Sequence, residues 1–249
     1  MPQRTINTAP RGNVCVQDVN VNLLKANDFV ADLIRRRAAA QGTYVVNLCS
    51  SPGSGKTTLL EKTAERLKDR ISMAVLVGDL ETERDAERLR KHGIPAFQIV
   101  TGGICHLEAQ MVLQALDSLD ADDTFDLAGV DLLVIENVGN LVCPASYDLG
   151  EDLRATLIAT TEGDDKPKKY PRMFLTSDLM VVTKTDLLPY LPFSVEAVAK
   201  DAREVNHDLD VLEVASISDE GVDAWCDYLF TRIEAKRAAL AEAALTEAA

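Results

Sequence analysis

The run Ser50-Ser51-Pro52-Gly53-Ser54-Gly55-Lys56-Thr57-Thr58 joins small, turn-forming residues to one lysine and two adjacent hydroxyls, a combination suited to holding a polyphosphate. Consecutive backbone N–H groups of such a loop turn inward around a β-phosphate, Lys56 reaches the β- and γ-phosphates, and the Thr57 hydroxyl binds Mg²⁺. Gly53, Ser54, Gly55, Lys56, Thr57 and Thr58 are therefore the expected nucleotide-binding residues, the glycines supplying backbone angles that other residues resist. Ser50 stands where this pattern usually opens with glycine. A second group of reactive side chains is Cys105-His106, preceded by Gly102-Gly103-Ile104, together with Cys143. Two thiols and one imidazole form a soft ligand set for Ni²⁺ or Zn²⁺, and the paired glycines let the chain fold tightly enough for adjacent ligands to converge. Spacing alone leaves open the plainer reading of core cysteines and a structural histidine.

These groups need a scaffold that brings distant segments to one edge. The apolar run 44–49 has strand character and residues 57–70 have helical spacing, so the loop lies between a strand and a helix. Strand-like runs at 73–77, 96–100, 132–135, 179–183 and 211–214 alternate with helical runs at 84–92 and 107–119. The pattern implies an α/β fold, a single P-loop NTPase domain with a mostly parallel sheet and helices on both faces. Residues 1–18 read as an arm and 19–249 as the domain. In an amino-terminal helix, Leu23, Ala26, Val30, Leu33 and Ile34 share one face, and Arg35 to Arg37 suit a solvated helix end. Residues 143–177 read as a long, polar surface connection, with 162–169 a charged, mobile turn. The segment 223–249 reads as a helix with Trp225, Tyr228, Leu229 and Ile233 on one face and a fraying end.

A formal net charge of −14 excludes most nucleic-acid and anionic-membrane roles, because neutralising phosphates needs a basic surface. Basic proteins and metal ions are better matched partners. No apolar stretch approaches ~20 residues, and five irregularly spaced cysteines do not suggest a disulfide framework. Reduced thiols and a cytoplasmic address are expected, with Cys49 and Cys226 as small core residues.

Val181-Val182-Thr183-Lys184-Thr185-Asp186 resembles the Asn-Lys-x-Asp guanine-reading motif of GTPases. A carboxylate at Asp186 would accept from the two adjacent N–H groups of guanine, and the Lys184 stem would cover the base. Thr183 replaces the usual Asn, which removes a bracing amide. Ser216, after the last strand, resembles the motif whose backbone N–H meets the base oxygen. Asp79 and Glu136 are candidate Mg²⁺ ligands through water, and Glu136-Asn137-Val138-Gly139 resembles the γ-phosphate sensor, with the Gly139 N–H on the phosphate. Either acid could instead cap a helix or face solvent. The reading makes Lys56, Asp79 and Glu136 the catalytic set. No Gln follows Gly139 to orient water, so slow, switch-type hydrolysis is expected.

Taken together, the phosphate loop, Gly78-Asp79, Gly102-Gly103-Ile104-Cys105-His106-Leu107, residues 136–144 and Lys184-Thr185-Asp186-Leu187-Leu188-Pro189-Tyr190 resemble the HypB family of hydrogenase nickel-incorporation GTPases. The resemblance implies GTP and GDP as nucleotides, a homodimer formed on GTP binding, and a Ni²⁺ or Zn²⁺ site at its interface, here Cys105, His106 and Cys143. It also implies two partners, a small zinc-containing protein that hands nickel over and the large subunit of a [NiFe]-hydrogenase. Urease accessory GTPases are similar, but their metal motif is Cys-Pro-His; an ATP-dependent enzyme of the same fold would keep its cysteines in the core. Six residues, 137–142, separate Glu136 from Cys143, so a loop sensing γ-phosphate also carries a metal ligand.

Overall fold

The computed structural model describes residues 16–79, 84–121 and 125–247; the expected arm up to residue 15, with Cys15, and the helix end at 248–249 lie outside them. The strands are β1 (Tyr44–Ser50), β2 (Met73–Asp79), β3 (Ala96–Val100), β4 (Leu132–Glu136), β5 (Leu153–Ala159), β6 (Leu179–Thr183) and β7 (Asp210–Val214). Among the described residues they form one sheet, parallel throughout, in the order β3-β2-β4-β1-β5-β6-β7. The four strands β4, β1, β5 and β6 are buried along their whole length, as central strands covered by helices on both faces should be. Edge strand β7 is half exposed.

One face carries α2 (Lys56–Leu67), α3 (Arg84–Lys91) and α8 (Val222–Glu247), with Leu59, Leu60, Leu89, Trp225, Leu229 and Ile233 packed on Val46, Leu48, Val75 and Val181. The other carries α1 (Val16–Gln41) and α4 (Ala109–Ala121), which bury Ile34, Val112 and Leu116 against Val45, Leu76 and Leu133. Beside them, α6 (Pro171–Leu175) and α7 (Val195–Val205) bury Phe174 and Val198 against Ile158, Met180 and Val182. Trp225 is fully enclosed and its indole N–H donates to Thr63 Oγ1 at 2.8 Å. Trp225→Ala should cost about 3–5 kcal/mol, measured by urea titration followed by circular dichroism; a loss under about 1 kcal/mol would mean that this corner of the core collapses around the gap.

Several expectations change. The buried stripe of α1 is Asn27, Ala31, Ile34 and Ala38, while Leu23, Ala26 and Leu33 face outward. Small residues let the helix approach the sheet closely, so the alanine stripe wins over the leucine stripe. Helix α1 also begins at Val16, ahead of Val19, and Arg35 and Arg37 pair with Asp148 and Asp117 rather than ending the helix in solvent. The stretch 143–177 is no surface connection, because it contains β5 between β1 and β6. Arg154 and Thr156 hide its strand pattern, and both are satisfied inside: Arg154 by Glu151, Thr156 by Ser177. Residues 162–169 form a 3-10 turn ending at Glu162 and a short helix α5 (Lys166–Lys169), held by Lys166–Glu162 and Lys169–Asp165 pairs.

Candidate nucleotide and metal site

The carboxyl ends of β1, β2, β4 and β6 open on one edge, where open parallel sheets place ligands. A cleft of about 560 Å³ there is lined by Gly53, Ser54, Gly55, Lys56, Thr57 and Thr58 on one side and by Asp79, Glu136, Gly139 and Lys184 on the others. Gly53 and Gly55 adopt φ of 76° and 93°, and α2 begins at Lys56 with no side-chain cap, leaving its first N–H groups aimed at the cleft. Lys56 is buried and donates to Ser50 Oγ at 2.9 Å, so the serine in place of glycine seats the lysine. Gly139 lies hard against the loop: a Cβ there would come within 3.0 Å of Pro52.

Thr57 Oγ1 lies 3.2 Å from Glu136 Oε1 and 3.1 Å from Asp85 Oδ1. Burial pushes the Glu136 carboxyl up to about 7, against the pull of Lys56, and its Oε2 is enclosed without a hydrogen-bond partner. A hydroxyl and two carboxylates, one of them with an orphaned buried oxygen, are donors that suit a hard cation such as Mg²⁺. Neither Asp85 nor Arg88, both on the cleft wall, stood out in the sequence. They belong to a helix so rich in charge that no single residue is marked, and only folding against α2 selects Asp85 for Thr57 and Arg88 for Thr58.

A smaller cavity of about 250 Å³ continues from the cleft, lined by Thr183, Lys184, Asp186, Leu187, Ser216 and Ile217. Lys184 sits in the left-handed region at φ 59°, and its carbonyl accepts from Thr160 Oγ1 at 2.8 Å. The expected loss of a brace at Thr183 does not occur. Its hydroxyl donates to the Ser54 carbonyl at 2.7 Å, tying β6 to the phosphate loop. Glu162 adds a second tie by accepting from Ser54 Oγ at 2.8 Å. That contact was hidden in a segment that read as a charged turn.

Cys105, His106 and Cys143 meet from two loops, their ligand atoms all within 4.8 Å of one another. The thiols are 3.1 Å apart and Cys105 Sγ is 4.0 Å from His106 Nδ1. Donors around one ion with bonds of 2.0–2.3 Å are separated by roughly 3.5–3.8 Å, so small rotamer shifts would complete the set. The hydrogen bond from Cys105 raises the Cys143 thiol, and burial lowers the His106 imidazole, which favours its neutral, ligating form. Tyr147 packs on that ring at 4.2 Å between centroids, and exposed Val100, Ile104 and Val142 give nearby surface an apolar character. Cys49 and Cys226 are enclosed and their thiols are pushed up to about 12 by burial.

Residues 44–213 match the CobW/HypB/UreG nucleotide-binding domain. Hydrogenase maturation factor HypB of Escherichia coli (strain K12) is 48% identical over 215 residues, covering 86% of this chain and 72% of that protein. The HypB of Azotobacter vinelandii is 49% identical over 230 residues, covering 91% and 74%. A crystal structure of HypB from Helicobacter pylori in complex with nickel superimposes with a TM-score of 0.80 at 40% identity, covering 85% of this chain and 97% of that one. With a parallel sheet and phosphate loop on residues that match this nucleotide-binding domain, the protein belongs to the HypB family of hydrogenase maturation factors, GTPases of the CobW/HypB/UreG group.

Proposed function

We propose that this chain is a GTP-hydrolysing metallochaperone that delivers Ni²⁺ for assembly of a [NiFe]-hydrogenase. The observation that carries the reading is the convergence of Cys105, His106 and Cys143 at the far end of the loop that starts at Glu136. In this reading the N–H groups of residues 53–58 and the Lys56 ammonium hold the phosphates, Asp186 and Lys184 read guanine, and Ser216 meets the base oxygen. Thr57 would hold Mg²⁺ directly, with Asp79 and Glu136 around it; that ion draws charge from the β- and γ-phosphate oxygens. The cargo ion takes the two thiolates and the imidazole, and three protein ligands leave a position open for exchange. Because exposed valines and an isoleucine lie near the triad, a second copy of the chain is the natural cover for it in the GTP state. The small zinc-containing transfer protein and the hydrogenase large subunit are the proposed donor and acceptor of nickel, in the cytoplasm. Among the described residues no helix is long and apolar enough to cross a membrane.

The direct test is metal content, nickel affinity and sedimentation measured with GDP and with a non-hydrolysable GTP analogue. Nickel should be held more tightly, and the dimer be more populated, with the GTP analogue than with GDP. Equal values in both states would refute the coupling. Base selection has its own test: Asp186→Asn should weaken GTP by about 10²-fold or more, because the amide accepts from only one of the two guanine donors and turns its own N–H₂ on the other, and should gain xanthosine triphosphate, whose C2 carbonyl oxygen accepts from the new amide. Equilibrium titration with the two nucleotides checks this; unchanged GTP affinity would remove Asp186 from the base site.

A further inference from the structure

The metal-bearing loops rest on a buried chain of polar side chains that the reaction scheme does not use. Asn137, next to Glu136, accepts from the Leu107 N–H at 3.2 Å, one residue beyond His106, and from the Val138 N–H at 3.0 Å. Its amide donates to Asn47 Oδ1 at 3.2 Å. Asn47, in the middle of β1, donates in turn to Glu151 Oε1 at 3.1 Å. Glu151 also accepts from Arg154 Nε at 2.8 Å, and Arg154 Nη2 donates to the Tyr147 carbonyl at 2.8 Å. The Tyr147 ring lies on His106, which closes the circuit. Asn47 and Asn137 are 0% and 1% exposed, so water is not at hand to replace a broken link and the chain must move as a unit.

A second bridge spans the same two loops without touching the phosphate cleft. Asn27 of α1 accepts from the Ala109 N–H at 2.9 Å and donates to the Asp148 carbonyl at 2.8 Å. Arg35 holds the Asp148 carboxylate from the same helix. One bridge is thus anchored on a helix remote from the nucleotide, whereas the other begins beside Glu136 and Gly139, which line the cleft.

We infer that Asn47 is a positioning residue that transmits the nucleotide state to the metal triad, by joining Asn137 on the cleft side to the Glu151–Arg154 pair beneath Tyr147 and His106. The inference rests on the reading of Cys105, His106 and Cys143 as a nucleotide-coupled nickel site. A shift of residues 136–139 relative to β1 changes the Asn137–Asn47 link and, through it, both loops. Asn27 sets the distance between those loops equally in every nucleotide state.

The test is a Ni²⁺ titration, followed by the thiolate-to-nickel absorption band, of the full chain and of Asn47→Ala and Asn27→Ala, each with GDP and with a non-hydrolysable GTP analogue. Asn47→Ala should bring the ratio of the two nickel affinities close to one with nucleotide affinity unchanged. Asn27→Ala should weaken nickel by about 10–100-fold in both states alike, the range typical of residues that support ligands, and keep the ratio. If Asn47→Ala does not fold, Asn47→Ser carries the same test, since its hydroxyl is too short to span both partners. A normal ratio in a folded Asn47 variant overturns the inference, and so does an equal collapse of the ratio in Asn27→Ala, which would mark general loosening. A parent protein whose nickel affinity ignores nucleotide overturns the underlying reading as well.

Discussion

Lys56→Ala is expected to lower GTP turnover by about 10³-fold, the loss that follows when a preorganised group facing transition-state charge is removed. Lys56 is 8% exposed and its ammonium is held by Ser50 beside the phosphate loop, whereas Arg88 and Lys184 are committed to other walls of the cleft. Arginine should not restore the rate, because its planar fork differs from a compact ammonium. Phosphate release under saturating GTP measures the effect, and nickel binding without nucleotide should survive, since Lys56 is not among the triad's contacts. Turnover within about tenfold of the parent would mean that Lys56 does not face the reacting phosphate.

Cys143→Ala should weaken nickel by at least about 100-fold, the upper end of what even supporting residues cost a metal site. The thiol contributes one of three converging donors and its removal leaves Cys105 and His106, adjacent on one loop, without the opposing ligand. GTP affinity should be unchanged, because Cys143 does not line the phosphate cleft. Cys143→Ser should fall between the two, as a hydroxyl is a harder and weaker donor to a soft-leaning ion. Competitive titration against a chelator of known affinity gives the number. Retention of nickel by Cys143→Ala would show that the ion binds elsewhere, whereas loss of both nickel and GTP would make Cys143 structural.

Most of the scaffold was legible because it depends on local pattern. The run 179–183 became β6 with the same bounds, since a strand buried on both faces is a continuous apolar run, and 96–100 became the edge strand β3 on its mostly apolar pattern. Strand β5 was not legible for the opposite reason: Arg154 and Thr156 break the run, and nothing local says that Glu151 and Ser177 will satisfy them. The α1 stripe failed in a related way. A helix with two adjacent apolar stripes offers two choices, and only the partner surface selects Ala31 and Ala38 over Leu23 and Leu33.

The site divides along the same line. Residues that act through their own backbone or within a short loop could be read in order along the chain: the phosphate loop, Lys184 with Asp186, and Cys105 with His106. By itself the sequence determined the phosphate-loop pattern and set the expectations for a base-reading pair and for soft metal ligands, because those depend on chemistry carried by neighbours in the chain. The tertiary structure decided that Asp85 faces Thr57, that Thr183 braces Ser54, that Cys143 meets Cys105, and that Asn47 lies between the cleft and the metal loops. Those pairings join residues 28 to 129 positions apart, and only the packed parallel sheet brings them within hydrogen-bond reach.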